Sequence, residues 1–239
     1  MIMNKENILF GIIGVLIGLI VGFMFANSVN QGAGAGVQNN PAAAAAKQNS
    51  NMPAGHPDIS GASDPGVTMA DVQKAVDEAK AQPESVDAQL KAAEVNYRIE
   101  RYNEAIEYLK RANQIQPESR EIVVYLGNAN FDANNYEEAE KWYMSALEKD
   151  PNDVGVRTDL GLTFIFRTPP DYDRAEKEFM RSLEIDPKHS QTLQNLTVAY
   201  TKKGDAAKAK ATLARLEAAD AKNASIAKLR AEIEKIAVK

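Results

Sequence analysis

The 239-residue chain reads as all-α: a solenoid of about four helix-turn-helix units with a helical cap at each end, preceded by one transmembrane helix and a disordered tether. Three observations predict this. Pro83, Pro117, Pro151 and Pro187 stand 34, 34 and 36 residues apart, and a fixed period of about 20–50 residues marks a repeat array whose units bury their apolar faces on one another. Between those prolines, small and aromatic residues recur in one order. The composition also changes twice, after Ala26 and near Thr68, which separates an apolar run, a polar low-complexity stretch and a long helical remainder.

Residues 1–7 carry Lys5 and precede the run Ile8 to Ala26, "ILFGIIGVLIGLIVGFMFA", which has no charge. At about 1.5 Å per residue such a run reaches roughly 28 Å, the depth of a bilayer's hydrocarbon core. A cleaved signal peptide is the other reading, but its apolar region would be only about 7–15 residues, so the length favours an uncleaved anchor at 8–26. No Lys or Arg follows until Lys47. The positive-inside rule then sets the N-terminus in the cytoplasm and the rest outside it. Gly14, Gly18, Gly22 and Ala26 recur every four residues, a register that brings small residues onto one face and lets two membrane helices approach. A homodimer through the membrane helix is one reading, and the ordinary abundance of glycine in membrane helices is the other.

Residues 27–67 are rich in Gly, Ala, Asn, Ser and Pro and lack aromatics. Such a stretch buries too little apolar surface to offset its ordering entropy, and as a flexible tether it would reach roughly 35 Å. From Thr68 the pattern turns helical. "ADVQKAVDEAKAQP" gives a half-unit helix within 68–83, with Val72, Ala75, Val76 and Ala79 on one face.

The array at 84–223 follows, and its second unit, Arg120 to Asp153, shows the logic most fully. Gly127 sits in mid-helix, where glycine costs about 1 kcal/mol against alanine. Its missing Cβ lets the second helix pack closely, with Ala139 and Ala146 as the matching small residues. Asn134-Asn135 makes the turn, since Asn tolerates left-handed backbone. Tyr136, Trp142, Tyr143 and Leu147 supply apolar bulk, and Pro151 ends the unit by restricting Asp150. After the array, within 224–239, Ile226, Leu229, Ile233 and Ile236 form a stripe suited to cover the last repeat, with Lys228, Glu232 and Lys235 facing water. Binding a partner helix is the other use of such a stripe.

The second unit's Leu126, Gly127, Tyr136, Ala139, Tyr143, Ala146 and Pro151 resemble the tetratricopeptide repeat family. The first unit, Val86 to Ser119, keeps Ala93, Tyr102, Ala105, Leu109, Ala112 and Pro117, with Ala92 where the family prefers Leu. The third, Val154 to His189, keeps Leu160, Gly161, Phe164, Tyr172, Ala175, Phe179 and Pro187, with Ser182 as its small residue and two extra residues in "RTPPDYD". The fourth, Ser190 to Asn223, keeps Leu196, Tyr200, Gly204-Asp205, Ala209 and Leu213, and has Ala221 where the closing proline would stand. The architecture is also similar to that of bacterial inner-membrane proteins with one N-terminal anchor and a periplasmic array, some acting in cytochrome c maturation and others around the Sec translocon.

The resemblance implies a concave groove lined by the first helix of each unit. Its positions would be Leu90, Glu94, Tyr97 and Arg98; Val124, Asn128, Phe131 and Asp132; Thr158, Leu162, Ile165 and Phe166; and Gln194, Val198, Thr201 and Lys202. Among these, Tyr97, Arg98, Val124, Asn128, Phe131, Asp132, Leu162, Ile165, Phe166 and Lys202 are the expected peptide contacts. Phe131 and Phe166 are expected as exposed anchors that do not hold the helix pairs together, although burial is the other reading of Leu162, Ile165 and Phe166. Chaperone-binding members of the family clamp a terminal carboxylate with paired Lys, Asn and Arg. Leu90, Glu94, Gly155 and Asp159 stand at those places, which excludes that ligand.

No cysteine is present, so thiolate metal sites and disulfides are excluded, and a net charge of -5 argues against nucleic-acid binding through a general basic field. The two histidines, His56 and His189, fall in no catalytic or metal-binding motif. The sequence therefore predicts a non-enzymatic scaffold without a cofactor, binding another protein or peptide segment. A structural subunit of an envelope complex and a cytosol-facing import receptor are the alternatives.

Overall fold

The computed structural model describes residues 66–237. The expected membrane span at 8–26, with Gly14, Gly18, Gly22 and Ala26, and nearly all of the tether at 27–67 lie outside the described residues. Among the described residues no helix is long and apolar enough to cross a membrane.

The described residues form ten helices: α1 Met69–Ala81, α2 Val86–Arg98, α3 Tyr102–Ile115, α4 Arg120–Asp132, α5 Tyr136–Lys149, α6 Val154–Phe166, α7 Tyr172–Ile185, α8 Ser190–Lys203, α9 Ala206–Ala219 and α10 Ile226–Ala237. Helices α2 to α9 make four consecutive pairs, and α1 and α10 flank them. Local chemistry sets the boundaries. Ser85, Ser119 and Asp153, each two residues after a repeat proline, cap α2, α4 and α6 by accepting from the main-chain N–H of Ala88, Ile122 and Val156. These caps satisfy donors that a helix start leaves unpaired. The fourth unit keeps its closing turn without a proline: the Asn223 N–H donates to the Asp220 carbonyl at 3.1 Å.

The turn inside each pair repeats as well. Glu100, Asn134 and Gly204 have φ of 61°, 60° and 80°. The next residue's N–H reaches back to the helix: Arg101 to the Asn96 carbonyl at 2.9 Å, Asn135 to Asn130 at 2.8 Å, and Asp205 to Tyr200 at 2.9 Å. This is a Schellman-type ending, which needs one left-handed residue. In the third unit the insertion replaces it, and the Asp171 N–H donates to the Phe164 carbonyl at 2.7 Å.

Each pair closes over small residues. A Cβ on Gly127 would lie 2.5 Å from Tyr143 Cε1, and one on Gly161 would lie 2.4 Å from Phe179 Cε1. The close crossing expected at Gly127 is present, but the group that uses the space is the Tyr143 ring. Ala139 and Ala146 are fully buried to either side of it along α5.

Between units, acidic side chains are met by bases of a neighbouring repeat. Glu118 pairs with Lys149 at 3.1 Å, Glu140 with Arg167 and Arg174, and Glu176 with Lys203 and Lys208 at 2.9 and 3.0 Å. Burial pushes Glu176 up, but hydrogen bonds from Lys203, Lys208 and Tyr200 outweigh it and hold the carboxyl down at about 2. At the ends, Val72, Ala75 and Ala79 of α1 are buried. Leu229 and Ile233 of α10 are buried where α10 packs on α8 and α9, so the C-terminal stripe is a cap.

Candidate binding groove

The first helices of the pairs lie side by side. The Tyr97 hydroxyl of α2 donates to Asp132 of α4. The rings of Phe131 in α4 and Phe166 in α6 meet edge-on at 5.8 Å. Thr158 Oγ1 in α6 is 2.6 Å from Thr192 Oγ1 in α8. These contacts build a continuous face from α2, α4, α6 and α8, and they also decide which residues that face exposes.

The burial corrects the expected patch. Phe131 is only 6% exposed, because its ring is held edge-on against Tyr136 of α5 at 5.5 Å as well as against Phe166. It holds α4, α5 and α6 together and is not an exposed anchor. Tyr97, Val124, Asn128 and Ile165 are buried too, as are Thr158, Gln194 and Val198. Each first helix packs between its own second helix and that of the preceding unit, and side chains such as Tyr97, Phe131 and Thr158 also reach the next first helix. Leu90, Arg98, Asp132, Leu162, Phe166 and Thr201 are half-buried, while Glu94 and Lys202 are exposed. Arg98 lies 3.8 Å from Glu94.

A pocket opens between α2 and α4, over Leu109 of α3. Its volume is about 550 Å³, and it is lined by Leu90, Ala93, Tyr97, Leu109, Tyr125 and Asn128, with Asp87, Lys91, Glu94 and Glu121 at its edges. Lys91 pairs with Glu78 at 3.4 Å. The Tyr125 hydroxyl donates to Glu121 at 2.5 Å. Burial, the Glu121 hydrogen bond and the charges of Glu121 and Glu94 together push that phenol far up.

A polar cluster adjoins the pocket. The Tyr143 ring, seated on Gly127, points its hydroxyl at Asn128 Oδ1, 2.8 Å away. In that orientation Asn128 Nδ2 is buried without a partner among the described residues. Asp132 stands one turn further along α4, and Asp159 projects from α6 near enough to feel the Asp132 charge. Desolvation pushes each carboxyl up to about 7, and for Asp159 the Asp132 charge adds to it. The sequence picked out Asn128 and Asp132 as groove positions but not the Tyr143 contact or the role of Asp159. The available signal was register: Tyr125 and Asp159 occupy one position of successive repeats, 34 residues apart.

Family models described as tetratricopeptide repeat match residues 99–158 and 171–233, and residues 70–119. No curated protein matches the chain significantly. Among solved structures, the chain is similar to MamA at 24% identity, over 64% of this chain and 83% of that one, with a TM-score of 0.57. It is similar to YrrB, described as a TPR protein with an unusual peptide-binding site, at 20% identity over 66% and 81% of the two chains, with a TM-score of 0.58. A thermophilic TPR protein of Thermus thermophilus aligns at 16% identity over 64% and 82%, with a TM-score of 0.51. At such identities the likeness is one of fold. The family models together cover more than half of the chain, and the chain belongs to the tetratricopeptide repeat family.

Proposed function

We propose that the chain is a single-pass, membrane-tethered scaffold that holds a segment of another polypeptide along the face of its first helices. The charge-free run at 8–26 and the placement of Lys5 support an anchor with the repeat domain outside the cytoplasm, where the scaffold would serve assembly or maturation of envelope proteins. The observation that carries the binding reading is the pocket between α2 and α4. It is apolar within, acidic at the edge, and adjoins a buried amide donor with no partner among the described residues. Pockets with apolar walls and a few convergent polar groups are where ligands bind. A peptide-binding site described for YrrB, on a similar fold, agrees with this use of the array.

The test is photocrosslinking from the full chain in its membrane, with the reactive residue at Leu90 or Tyr125 on the groove and at Met144 or Met180 on the outer helices. The two methionines are 48% and 41% exposed. Adducts are expected from the groove positions. Adducts from the methionines alone would replace this reading with that of a structural subunit that docks through its outer face. Protease added from each side of the membrane should digest the repeat domain only from outside the cytoplasm, and digestion only from the cytoplasmic side would favour a cytosol-facing receptor.

A further inference from the structure

Most half-buried carboxylates among the described residues are met by a base or by a main-chain N–H. Asp153 has Arg120, Glu178 has Arg157 and Arg181, Glu140 has Arg167 and Arg174, and Glu176 has Lys203 and Lys208. Asp171 and Asp205 cap helices. Asp132 and Asp159 have neither kind of partner. Asp132 accepts only the Tyr97 hydroxyl, and Asp159 has no hydrogen bond or ion pair among the described residues. The Asp132 charge acts on Asp159, and both act on Tyr143, an arrangement that opposes folding until a proton or a cation neutralises it.

Two further observations place this pair in a site. Asn128, one turn before Asp132 on α4 and only 3% exposed, has its oxygen engaged by Tyr143 and its nitrogen unpartnered. The same residue forms part of the wall of the α2–α4 pocket, whose lining also holds Asp87 and Glu121, Glu94 beside Arg98, and a Lys91 paired with Glu78. Apolar room, a free amide donor and uncompensated negative charge thus lie within one stretch of groove.

We propose that this stretch recognises a cationic–apolar polypeptide segment: a lysine or arginine set against Asp132 and Asp159, a neighbouring large apolar side chain in the α2–α4 pocket, and a main-chain carbonyl accepting from Asn128 Nδ2. The proposal rests on the groove reading above and adds the chemistry of the occupant. A bound cation offsets the desolvation and repulsion of the pair, and hydrogen bonds between charged groups are the stronger kind. The third and fourth units lack the combination. Leu162 and Val198 stand in the register of Asn128, and Phe166 and Lys202 in that of Asp132, so the site is built once, from the first two units and the Asp159 side of the third.

The test is selection of short random peptides displayed on phage against the full chain in detergent. The same selection is run against the Asp132→Asn/Asp159→Asn double variant and against Leu90→Arg, which blocks the pocket. Sequences enriched on the unaltered chain should carry Lys or Arg close to Leu, Ile, Phe or Met. Synthetic peptides of those sequences should bind the double variant at least about tenfold more weakly, and lose as much when their basic residue is replaced by Gln. The double variant is nearly isosteric and removes a repulsion, so its melting temperature should be unchanged or higher, which separates lost recognition from lost fold. Enrichment of acidic or uncharged peptides that still need Leu90, or equal binding by the double variant, overturns the proposal and leaves groove binding standing. No enrichment, or enrichment indifferent to Leu90→Arg, overturns both.

Discussion

At the scale of the residue, Gly127 links packing to the site. With no Cβ it admits the Tyr143 ring, and the ring's hydroxyl sets the orientation of Asn128. Gly127→Leu should therefore displace Tyr143 and destabilise the domain by about 1–3 kcal/mol, as overpacking does. Urea unfolding followed by circular dichroism measures it, and an unchanged midpoint would mean that the crossing is not close. The acidic pair gives a second prediction, in pH. Desolvation sets Asp132 and Asp159 at about 7, above the ordinary carboxylate value of 3.8. The folded state thus holds their protons more tightly than the unfolded chain does, so stability is greatest with both protonated, falls as pH rises from about 4 to about 7, and levels off above that. Tyr136 and Tyr143, which face the pair, are pushed up by burial and stay protonated across that window. The melting temperature should fall between about pH 4 and about pH 7, each carboxyl costing on the order of a few kcal/mol across that window, and the Asp132→Asn/Asp159→Asn variant should show a smaller fall. Equal pH profiles would show that the two carboxyls titrate normally. Gly127 and Asn134 were legible in the sequence because each is a residue type with a conformational reason to be there. Glu100 was not: it takes the same left-handed turn position as Asn134 with a side chain that gives no such signal.

At the scale of the element, each helix is specified by its repeat period, while the division of its faces is set by neighbours. Phe131 shows the difference. Its position on the first helix of a pair implied the groove, but contact with Tyr136 and Phe166 places it in the junction of α4, α5 and α6. Phe131→Ala should cost about 3–5 kcal/mol, the usual range for removing a buried phenylalanine, whereas Phe166→Ala, at a half-buried ring, should cost clearly less. Thermal unfolding of the two single variants decides between core and groove: equal, small losses would restore Phe131 to the groove surface. The helix boundaries were legible where prolines and Asn134-Asn135 mark them. The caps at Ser85, Ser119 and Asp153 share their register with the prolines and could have been read from it. The packing of one first helix against the next depends on contacts between residues about 34 apart, which no local window reports.

At the scale of the whole molecule, the array is a ladder of like units made unlike at one place. Bases of one repeat answer acids of its neighbour along the stack, and both ends are closed by short amphipathic helices. The exception is the stretch between the first and third units, where Tyr97, Asn128, Asp132 and Asp159 gather beside the pocket. The solenoid was legible from its period alone. The site was legible only in part, because it is made by departures from the repeat, and a departure gains meaning only once its spatial neighbours are known. The central claim is that the first-helix face between α2 and α6 takes a polypeptide segment. Hydrogen–deuterium exchange of the full chain, with and without a groove-selected basic–apolar peptide, tests it most directly. Slowed exchange should appear in residues 86–98, 120–132 and 154–166, with α3, α5 and α7 unchanged. Protection confined to those second helices or to α10 would contradict it.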